Sequence, residues 1–280
     1  MSVDESVLQF GTPGSELIGV LSRPVEPQRL QEIGVVVVVG GPQTRVGSHR
    51  QFVLLARAMA AAGYACLRFD YAGMGDSPGP RPDFERAGPD IRRACDAMVA
   101  AVPACKRVAL WGLCDGASAA LLYAAGDERI ATVIAANPWA RSEATRSAAI
   151  VSEHYGSRLR SADFWRRVLG GKVNVFASAR EAIGHALRAR GKGGAGSKQT
   201  GEDLPARLSG ALASVRAAVR LQLSGQDLTA AEFEIAMRRT GTTGLLEGGA
   251  LRLEQADHTF SDPVDWQRVI DDTLAQLRRQ

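Results

Sequence analysis

The sequence predicts a doubly wound α/β fold built on a mostly parallel sheet. Between residues 33 and 138, strand-like and helix-like segments alternate regularly, which is the pattern of such a fold. Residues 33–39 are almost all β-branched, as in a strand that a parallel sheet buries on both faces. The chain has 280 residues, of which 45% are hydrophobic, and this supplies enough apolar side chains for a full core.

Taken in order, the chain begins with an antiparallel hairpin and then enters the alternation. Two short alternating segments, 7–10 and 16–21, flank turn residues at 11–14 and predict the hairpin. Strands are predicted at 33–39, 64–69, 108–111 and 130–136, and helices at 49–62, 90–101 and 117–125. Functional groups of this fold are expected where the parallel strands end.

The alternation stops at residue 139 and resumes only at residue 219. The intervening residues predict several helices and a Gly-rich stretch at 191–198 that we expect to be flexible. We therefore expect an inserted helical lid over residues 139–218 and a core made of residues 1–138 and 219–280. The remaining core elements are predicted as strands at 219–223 and 250–253 and helices at 230–239 and 264–279.

Most of the positive charge lies in the predicted lid. From Arg141 to Lys198 there are twelve Lys or Arg and four Asp or Glu, a net charge of +8, although the whole chain carries only +4. A basic segment on an acidic body suggests an anionic or carrier-bound small-molecule substrate, or an anionic surface. A solvated insertion with internal salt bridges explains the charge equally well. The basic residues lack interleaved aromatic residues, so a nucleic-acid partner is not expected.

The cysteines and the apolar segments indicate the cellular compartment in which the protein is expected. The four cysteines show no paired spacing and, with the four histidines, no metal-binding pattern, which indicates a reducing compartment without disulfides or a metal site. The N-terminal residues lack the basic and apolar regions of a signal peptide. The longest apolar run, at 33–39, is too short to span a bilayer. We expect a cytoplasmic protein with no transmembrane segment and no cofactor.

A G-x-C-x-G pattern at residues 112–116 falls between the strand at 108–111 and the helix at 117–125. Strand, tight turn and helix form the context of the G-x-S-x-G nucleophile elbow, with Cys114 in the place of serine. The flanking glycines remove Cβ atoms that would crowd the turn, and the helix N-terminus would lower the pKa of the thiol. A cysteine that only fills space between two glycines fits the same five residues.

Two further residues occupy equivalent places after predicted strands. Asp227 follows the strand at 219–223, and His258 follows the last strand, at 250–253. The chain order of nucleophile, acid and histidine is that of one triad fold, and parallel strands bring their ends to one edge of the sheet. His258 would take the thiol proton and later activate water, and Asp227 would orient the imidazole. Taken singly, Asp227 could instead be only a helix N-cap, and His258 a loop residue.

A site of this kind also needs two backbone N–H groups to stabilise an oxyanion. One is expected from Asp115, directly after Cys114. The other is expected from the loop after the first parallel strand, where Pro42 has no N–H to offer. We predict Gln43 for this role, with Gly41 as the alternative.

Several of these motifs together resemble the α/β-hydrolase superfamily. They are the Cys114 elbow, DYAGMGDS at 70–77, SGQD at 224–227 and DHTF at 257–260. More narrowly, GGPQ at 40–43 followed by RVGSHRQF at 45–52, with the cysteine elbow, resembles the exosortase A system-associated hydrolase 1 family. The resemblance implies a bacterial enzyme encoded beside machinery for protein sorting and exopolysaccharide production, and it implies no known substrate. Serine is the usual nucleophile of the superfamily, and dienelactone hydrolases also carry cysteine there.

If Cys114 is the nucleophile, the intermediate is a thioester, and the group that releases it decides the activity. Release by water gives a hydrolase of esters, thioesters or lactones, which is the esterase- or thioesterase-like activity that we expect. Release by a bound alcohol or amine gives an acyltransferase. The rival hypothesis is a non-catalytic scaffold with this fold, in which Cys114 is buried and unreactive and His258 is out of reach.

Overall fold

The fold is built around one eight-stranded sheet, seen in a computed structural model that describes residues 3–140 and 203–280. Its strands are β1 (Val3–Thr12), β2 (Ser15–Pro24), β3 (Ile33–Val38), β4 (Cys66–Phe69), β5 (Arg107–Leu113), β6 (Ile130–Ala136), β7 (Ala218–Ser224) and β8 (Ala250–Leu253). They lie in the order β1-β2-β4-β3-β5-β6-β7-β8. β2 pairs antiparallel with β1 and β4, and all other neighbours are parallel. The predicted mostly parallel sheet with an N-terminal antiparallel hairpin is confirmed.

The helices among the described residues connect these strands. They are α1 (Gln51–Ala61), α2 (Gly88–Ala101), α3 (Asp115–Ala124), α4 (Leu204–Ser214), α5 (Leu228–Arg239), α6 (Gly244–Gly248) and α7 (Pro263–Leu277). The predicted helix start at residue 49 is wrong, because His49 and Arg50 have left-handed φ values of 53° and 60°. A residue with a side chain in this conformation cannot continue an α-helix, so α1 begins at Gln51. The short α6 was not predicted.

The core is anchored where β5 crosses the middle of the sheet. Trp111 on β5 is fully buried and packs edge-to-face against Phe52 of α1 and Trp266 of α7. Its indole N–H donates to the side-chain oxygen of Gln222 on β7, at 3.2 Å. Every residue of β3 and β6 is buried as well. This packing and the strand pairing fix the carboxyl ends of β5, β7 and β8 relative to one another, and the candidate site lies at those ends.

The predicted lid falls mostly outside the described residues. Residues 141–202, including the Gly-rich stretch at 191–198, are not described. Residues 3–140 and 203–280 belong to one compact unit, in which α4 packs against α3 and α5 and buries Leu208 completely. Within the part of the chain that the structure describes, no helix is both long and apolar enough to cross a bilayer.

Candidate active site

Cys114 lies at a sharp turn between β5 and α3. Its φ of 60° and ψ of −129° are strained for a residue with a side chain. Two glycines make the turn possible, since a Cβ on Gly112 would come within 2.7 Å of the Gly116 carbonyl oxygen and one on Gly116 within 2.5 Å of the Val38 oxygen. The predicted steric reason for the two glycines is therefore confirmed. The turn leaves Cys114 partly exposed at the carboxyl end of β5.

Asp227 and His258 meet Cys114 at the same edge of the sheet. His258 Nδ1 lies 2.9 Å from Asp227 Oδ2, and Cys114 interacts electrostatically with the same imidazole. The structure thus brings together the three residues that the sequence singled out, from positions far apart along the chain.

Asp227 holds two elements at once. Its carboxylate accepts the N–H groups of Thr229 and Ala230, both at 3.1 Å, and so caps the N-terminus of α5. The same carboxylate holds the ring of His258. Helix capping and imidazole orientation are therefore not alternatives here, because the cap fixes the carboxylate in the position from which it reaches the ring.

The contacts of His258 favour its protonated form. The hydrogen bond with Asp227, together with the interaction with Cys114, raises the pKa of His258 to about 10, although partial burial acts in the opposite direction. A carboxylate-held imidazole that lies beside Cys114 is a group able to exchange protons there.

The other three cysteines lie in different surroundings from Cys114. All four are free thiols, but Cys66, Cys95 and Cys105 are buried. Burial raises the pKa of Cys66 and Cys95 to about 12 and that of Cys105 to about 11. Buried thiols that stay protonated at neutral pH are poor nucleophiles. Cys114 is thus the thiol that a reagent in solution should reach first.

Asn137, directly after β6, holds the loop at residues 254–262, between β8 and α7, which is called the His258 loop below. The sequence did not indicate this role. Its amide nitrogen donates to the His258 carbonyl at 3.0 Å and to the Ser224 hydroxyl at 2.8 Å. Its side-chain oxygen accepts the Ser224 N–H at 2.8 Å, and the Ser224 hydroxyl donates to the Asp257 carbonyl at 2.7 Å. Asn137 is fully buried and has a left-handed φ of 42°. Its place at a strand end, before Pro138, was the one available signal.

The loop after β3 approaches the elbow and carries the other predicted oxyanion donor. Residues 40–43 form a tight turn in which the Gln43 N–H faces the Gly40 carbonyl at 3.4 Å, a long hydrogen bond that leaves the donor weakly held. The alternative donor, the Gly41 N–H, is taken by the Asp115 carboxylate. That carboxylate also faces the N–H of Asp115 itself, so the second predicted oxyanion donor, the Asp115 N–H, is partly engaged. The oxyanion roles of Gln43 and Asp115 stay predictions, and Gln43 is the more available of the two loop donors.

Charged residues of the motifs noted above tie the surrounding loops together. Arg45 forms ion pairs with both Asp70 and Asp76, and its backbone N–H donates to Asp70 at 2.6 Å. Asp70 is fully buried, so its carboxylate is held by these contacts in a fixed place. They join the loop after β3 to the loop after β4, which gives the motifs at 45–52 and 70–77 a structural role.

Comparison with known protein families and curated proteins gives two matches. The family model described as "Serine aminopeptidase, S33" matches residues 31–180. The quorum-quenching protein AidA of Acinetobacter baumannii is 30% identical over 141 residues, which cover 47% of this chain and 43% of that protein. The chain therefore aligns with less than half of the length of this curated relative.

Solved structures of similar fold cover nearly the whole chain. The esterase Pf2001 of Pyrococcus furiosus has a TM-score of 0.64 at 14% identity, over 99% of this chain and 92% of that one. XC6422 of Xanthomonas campestris, described as an α/β serine hydrolase without a lid, has a TM-score of 0.58 at 15% identity, over 99% and 94%. A dienelactone hydrolase of Anabaena variabilis has a TM-score of 0.57 at 16% identity, over 98% and 95%. Likeness at these identities shows the fold alone, and it confirms the predicted α/β-hydrolase fold.

The family match carries more weight than the structural likeness, because it rests on sequence and spans β3 to β6 with the cysteine elbow. It covers more than half of the chain. The chain therefore belongs to the serine aminopeptidase S33 family, and its structure has the α/β-hydrolase fold.

Proposed function

We propose that the protein is a cysteine-dependent hydrolase of small-molecule esters or thioesters, with Cys114 as nucleophile, His258 as base and Asp227 as the acid that orients it. The observation that carries this proposal is the pairing of Asp227 with His258, at 2.9 Å, beside Cys114, which interacts with the same imidazole. The partial exposure of Cys114 at the strained elbow adds support, since a nucleophile must be reached by its substrate.

In the proposed acylation step, the Cys114 thiolate attacks the carbonyl carbon of the substrate, and the carbonyl π electrons move to its oxygen. The N–H groups of Gln43 and Asp115 stabilise this oxyanion. When the intermediate collapses, the bond to the alcohol or thiol breaks, and the leaving group takes a proton from the His258 imidazolium. The acyl group remains on Cys114 as a thioester.

Water then completes the cycle. Neutral His258 takes a proton from a water molecule while the water oxygen attacks the thioester carbon. The carbon–sulfur bond breaks, the acid is released, and the pair of Cys114 thiolate and His258 imidazolium is restored. Asp227 holds the imidazole by its Nδ1 throughout.

Cysteine in this position departs from the family description, which names serine. The contact between Cys114 and His258 supports cysteine as the working nucleophile, because a thiol used only for packing needs no such partner. The resemblance of residues 40–52 to the exosortase A system-associated hydrolases supports a bacterial role beside protein sorting and exopolysaccharide production. The free thiols support a reducing compartment such as the cytoplasm. We also propose, as the sequence predicts, that residues 139–218 form an inserted helical lid.

The decisive experiment is an intact-mass time course with p-nitrophenyl esters and acyl thioesters. We expect an acyl adduct on the wild type, none on Cys114→Ala, and a roughly 100-fold or greater slowing of adduct formation in His258→Ala. Cys105→Ala is the matched control, since it removes a buried thiol and should behave like the wild type. Iodoacetamide near neutral pH should modify Cys114 well before the other cysteines.

The fate of the adduct separates the remaining hypotheses. Rapid loss in water supports hydrolysis, whereas an adduct that persists until an alcohol or amine is added supports an acyltransferase. If no substrate acylates the wild type, and Cys114 reacts with iodoacetamide no faster than the buried cysteines, the scaffold hypothesis replaces the proposal.

A further inference from the structure

The side chain of Asp115 makes contacts that the proposed mechanism does not use. That mechanism needs only the backbone N–H of Asp115, yet its half-buried carboxylate reaches across from the elbow to the loop after β3. There Oδ1 accepts the N–H of Gly41, and the carboxylate also faces the N–H of Gly116. The residue next to the nucleophile therefore holds the loop that carries the predicted oxyanion donor.

Arg81 binds the other polar backbone group of Gly41, its carbonyl. Its guanidinium Nη2 donates to the Gly41 carbonyl at 2.7 Å. The N–H and the carbonyl of Gly41 belong to two successive peptide units, so Asp115 and Arg81 together fix both peptide planes that flank this residue. The next peptide unit along the chain joins Pro42 to Gln43.

Side-chain packing does not restrain Gly41. A Cβ placed on Gly41 would meet no atom within 4 Å, whereas one on the preceding Gly40 would lie 2.2 Å from the Leu113 carbonyl oxygen. Gly41 also has a left-handed φ of 61°, a region that glycine adopts without steric cost. The hydrogen bonds with Asp115 and Arg81 therefore orient Gly41, and the long turn bond of Gln43 at 3.4 Å contributes little.

We propose that the Asp115 side chain is a positioning residue, which orients the Gly41 peptide units so that the Gln43 N–H faces the oxyanion formed at Cys114. This proposal rests on the proposed function, because an oxyanion forms only if Cys114 attacks a carbonyl group. The role needs a hydrogen-bond acceptor at Asp115 and not a negative charge, which would oppose an oxyanion close by. Asparagine should therefore replace aspartate, and alanine should not.

The test compares two reactions of the same sulfur in the wild type, Asp115→Asn and Asp115→Ala. Acylation by p-nitrophenyl acetate passes through an oxyanion, whereas alkylation by iodoacetamide does not, so only acylation depends on the loop. We expect Asp115→Ala to lose acylation rate by about 10- to 100-fold and Asp115→Asn to stay within about threefold of the wild type. The alkylation rates of all three proteins should agree within about twofold, because His258 and Asp227 are untouched.

Two further variants and a second readout complete the test. Arg81→Ala should slow acylation in the same direction but less, because Arg81 is exposed. Asp271→Ala, which removes an exposed carboxylate on α7, is the control and should change neither reaction. In hydrogen–deuterium exchange, peptides covering residues 40–47 should exchange faster in Asp115→Ala than in Asp115→Asn.

The outcomes separate this proposal from the proposed function. If Asp115→Ala acylates as fast as the wild type or faster, the positioning role is contradicted. Equal losses of acylation and alkylation in Asp115→Ala would also contradict it, since they indicate general damage to the elbow. If the wild type is alkylated at Cys114 but acylated by no ester or thioester, the proposed function is contradicted instead. In that case, unchanged hydrogen–deuterium exchange at residues 40–47 in Asp115→Ala would also contradict the contact between Asp115 and the loop.

Discussion

The elbow and the His258 loop, which face each other across the candidate site, are held in place by different forces. At the elbow, Gly112 and Gly116 lie so close to neighbouring backbone that neither position has room for a Cβ. The His258 loop is held instead by hydrogen bonds with Asn137, Ser224 and Asp227. Cys114 is thus placed by steric fit and His258 by a polar network.

This difference predicts how each region fails. Steric fit against backbone atoms has no cheap relaxation, so a substitution at the elbow should act on folding itself. A polar network can lose one member and keep its fold, but the orientation and the proton affinity of the imidazole then change. Substitutions near His258 should therefore act on reactivity and on pH dependence more than on folding.

The largest effect is expected from Gly116→Ala. The added Cβ would lie 2.5 Å from the Val38 oxygen and 2.8 Å from the Gly40 nitrogen, and both are backbone atoms. We expect the free energy of unfolding to fall by at least about 3 kcal/mol, or the protein not to fold. Denaturation in guanidinium chloride, followed by circular dichroism, measures this change.

Gly210→Ala is the matched control for this substitution. Gly210 lies within α4, and a Cβ there would meet no atom within 4 Å. Because alanine favours a helix over glycine, this variant should gain up to about 1 kcal/mol. A loss of less than about 1 kcal/mol in Gly116→Ala would contradict the steric account of the elbow.

The same contrast explains how much could be predicted from the sequence. The strand, glycine spacing and helix of the elbow lie in one short segment, so a local pattern was enough to place Cys114. β6 and β8 begin and end where the sequence predicted, because each is a short segment with Arg129 or Gly249 directly before it and Asn137 or Glu254 directly after it. The start of α1 was predicted wrongly, because the left-handed turn at His49 has no local pattern and His49 lies 3.4 Å from Thr259 of the His258 loop.

The contacts of two other residues were beyond prediction for the same reason. Asn137 acts on residues that follow β7 and β8, and the Asp115 side chain acts on the loop after β3. Such contacts depend on the completed sheet, in which neighbouring strands come from distant parts of the chain. The sequence could indicate that strand ends converge, but not which side chain would hold which loop.

Asn137→Ala should give the next largest effect, on reactivity. It removes the donor to the His258 carbonyl and both contacts with Ser224. We expect the rate of iodoacetamide alkylation of Cys114 to fall by about 10-fold, and the free energy of unfolding by about 2 kcal/mol. Asn137→Asp keeps the acceptor for the Ser224 N–H but loses both donations, so it should slow alkylation with a smaller loss of stability. Loss of stability with unchanged alkylation would mean that Asn137 does not position His258.

The smallest expected effect is a pH dependence of stability that belongs to His258. Its pKa is raised from 6.5 to about 10 in the folded protein, chiefly by Asp227, so the folded state binds the proton more tightly than the unfolded chain. The resulting contribution to the free energy of unfolding is fully present below about pH 6.5 and is lost as the pH rises through about 10. Since the His258 side chain is 33% exposed, solvent screening should reduce the contribution to about 1–2 kcal/mol.

The measurement is the free energy of unfolding of the wild type and His258→Gln at pH 6 and pH 10. Other groups titrate alike in both proteins, so the difference between the two proteins isolates His258. We expect the wild type to lose about 1–2 kcal/mol more than the variant between these values. An equal loss would show that folding does not favour a protonated imidazole, and the polar network would then hold His258 in its neutral form. If the variant loses more unfolding free energy than the wild type between these pH values, folding lowers the pKa of His258 and favours its neutral form.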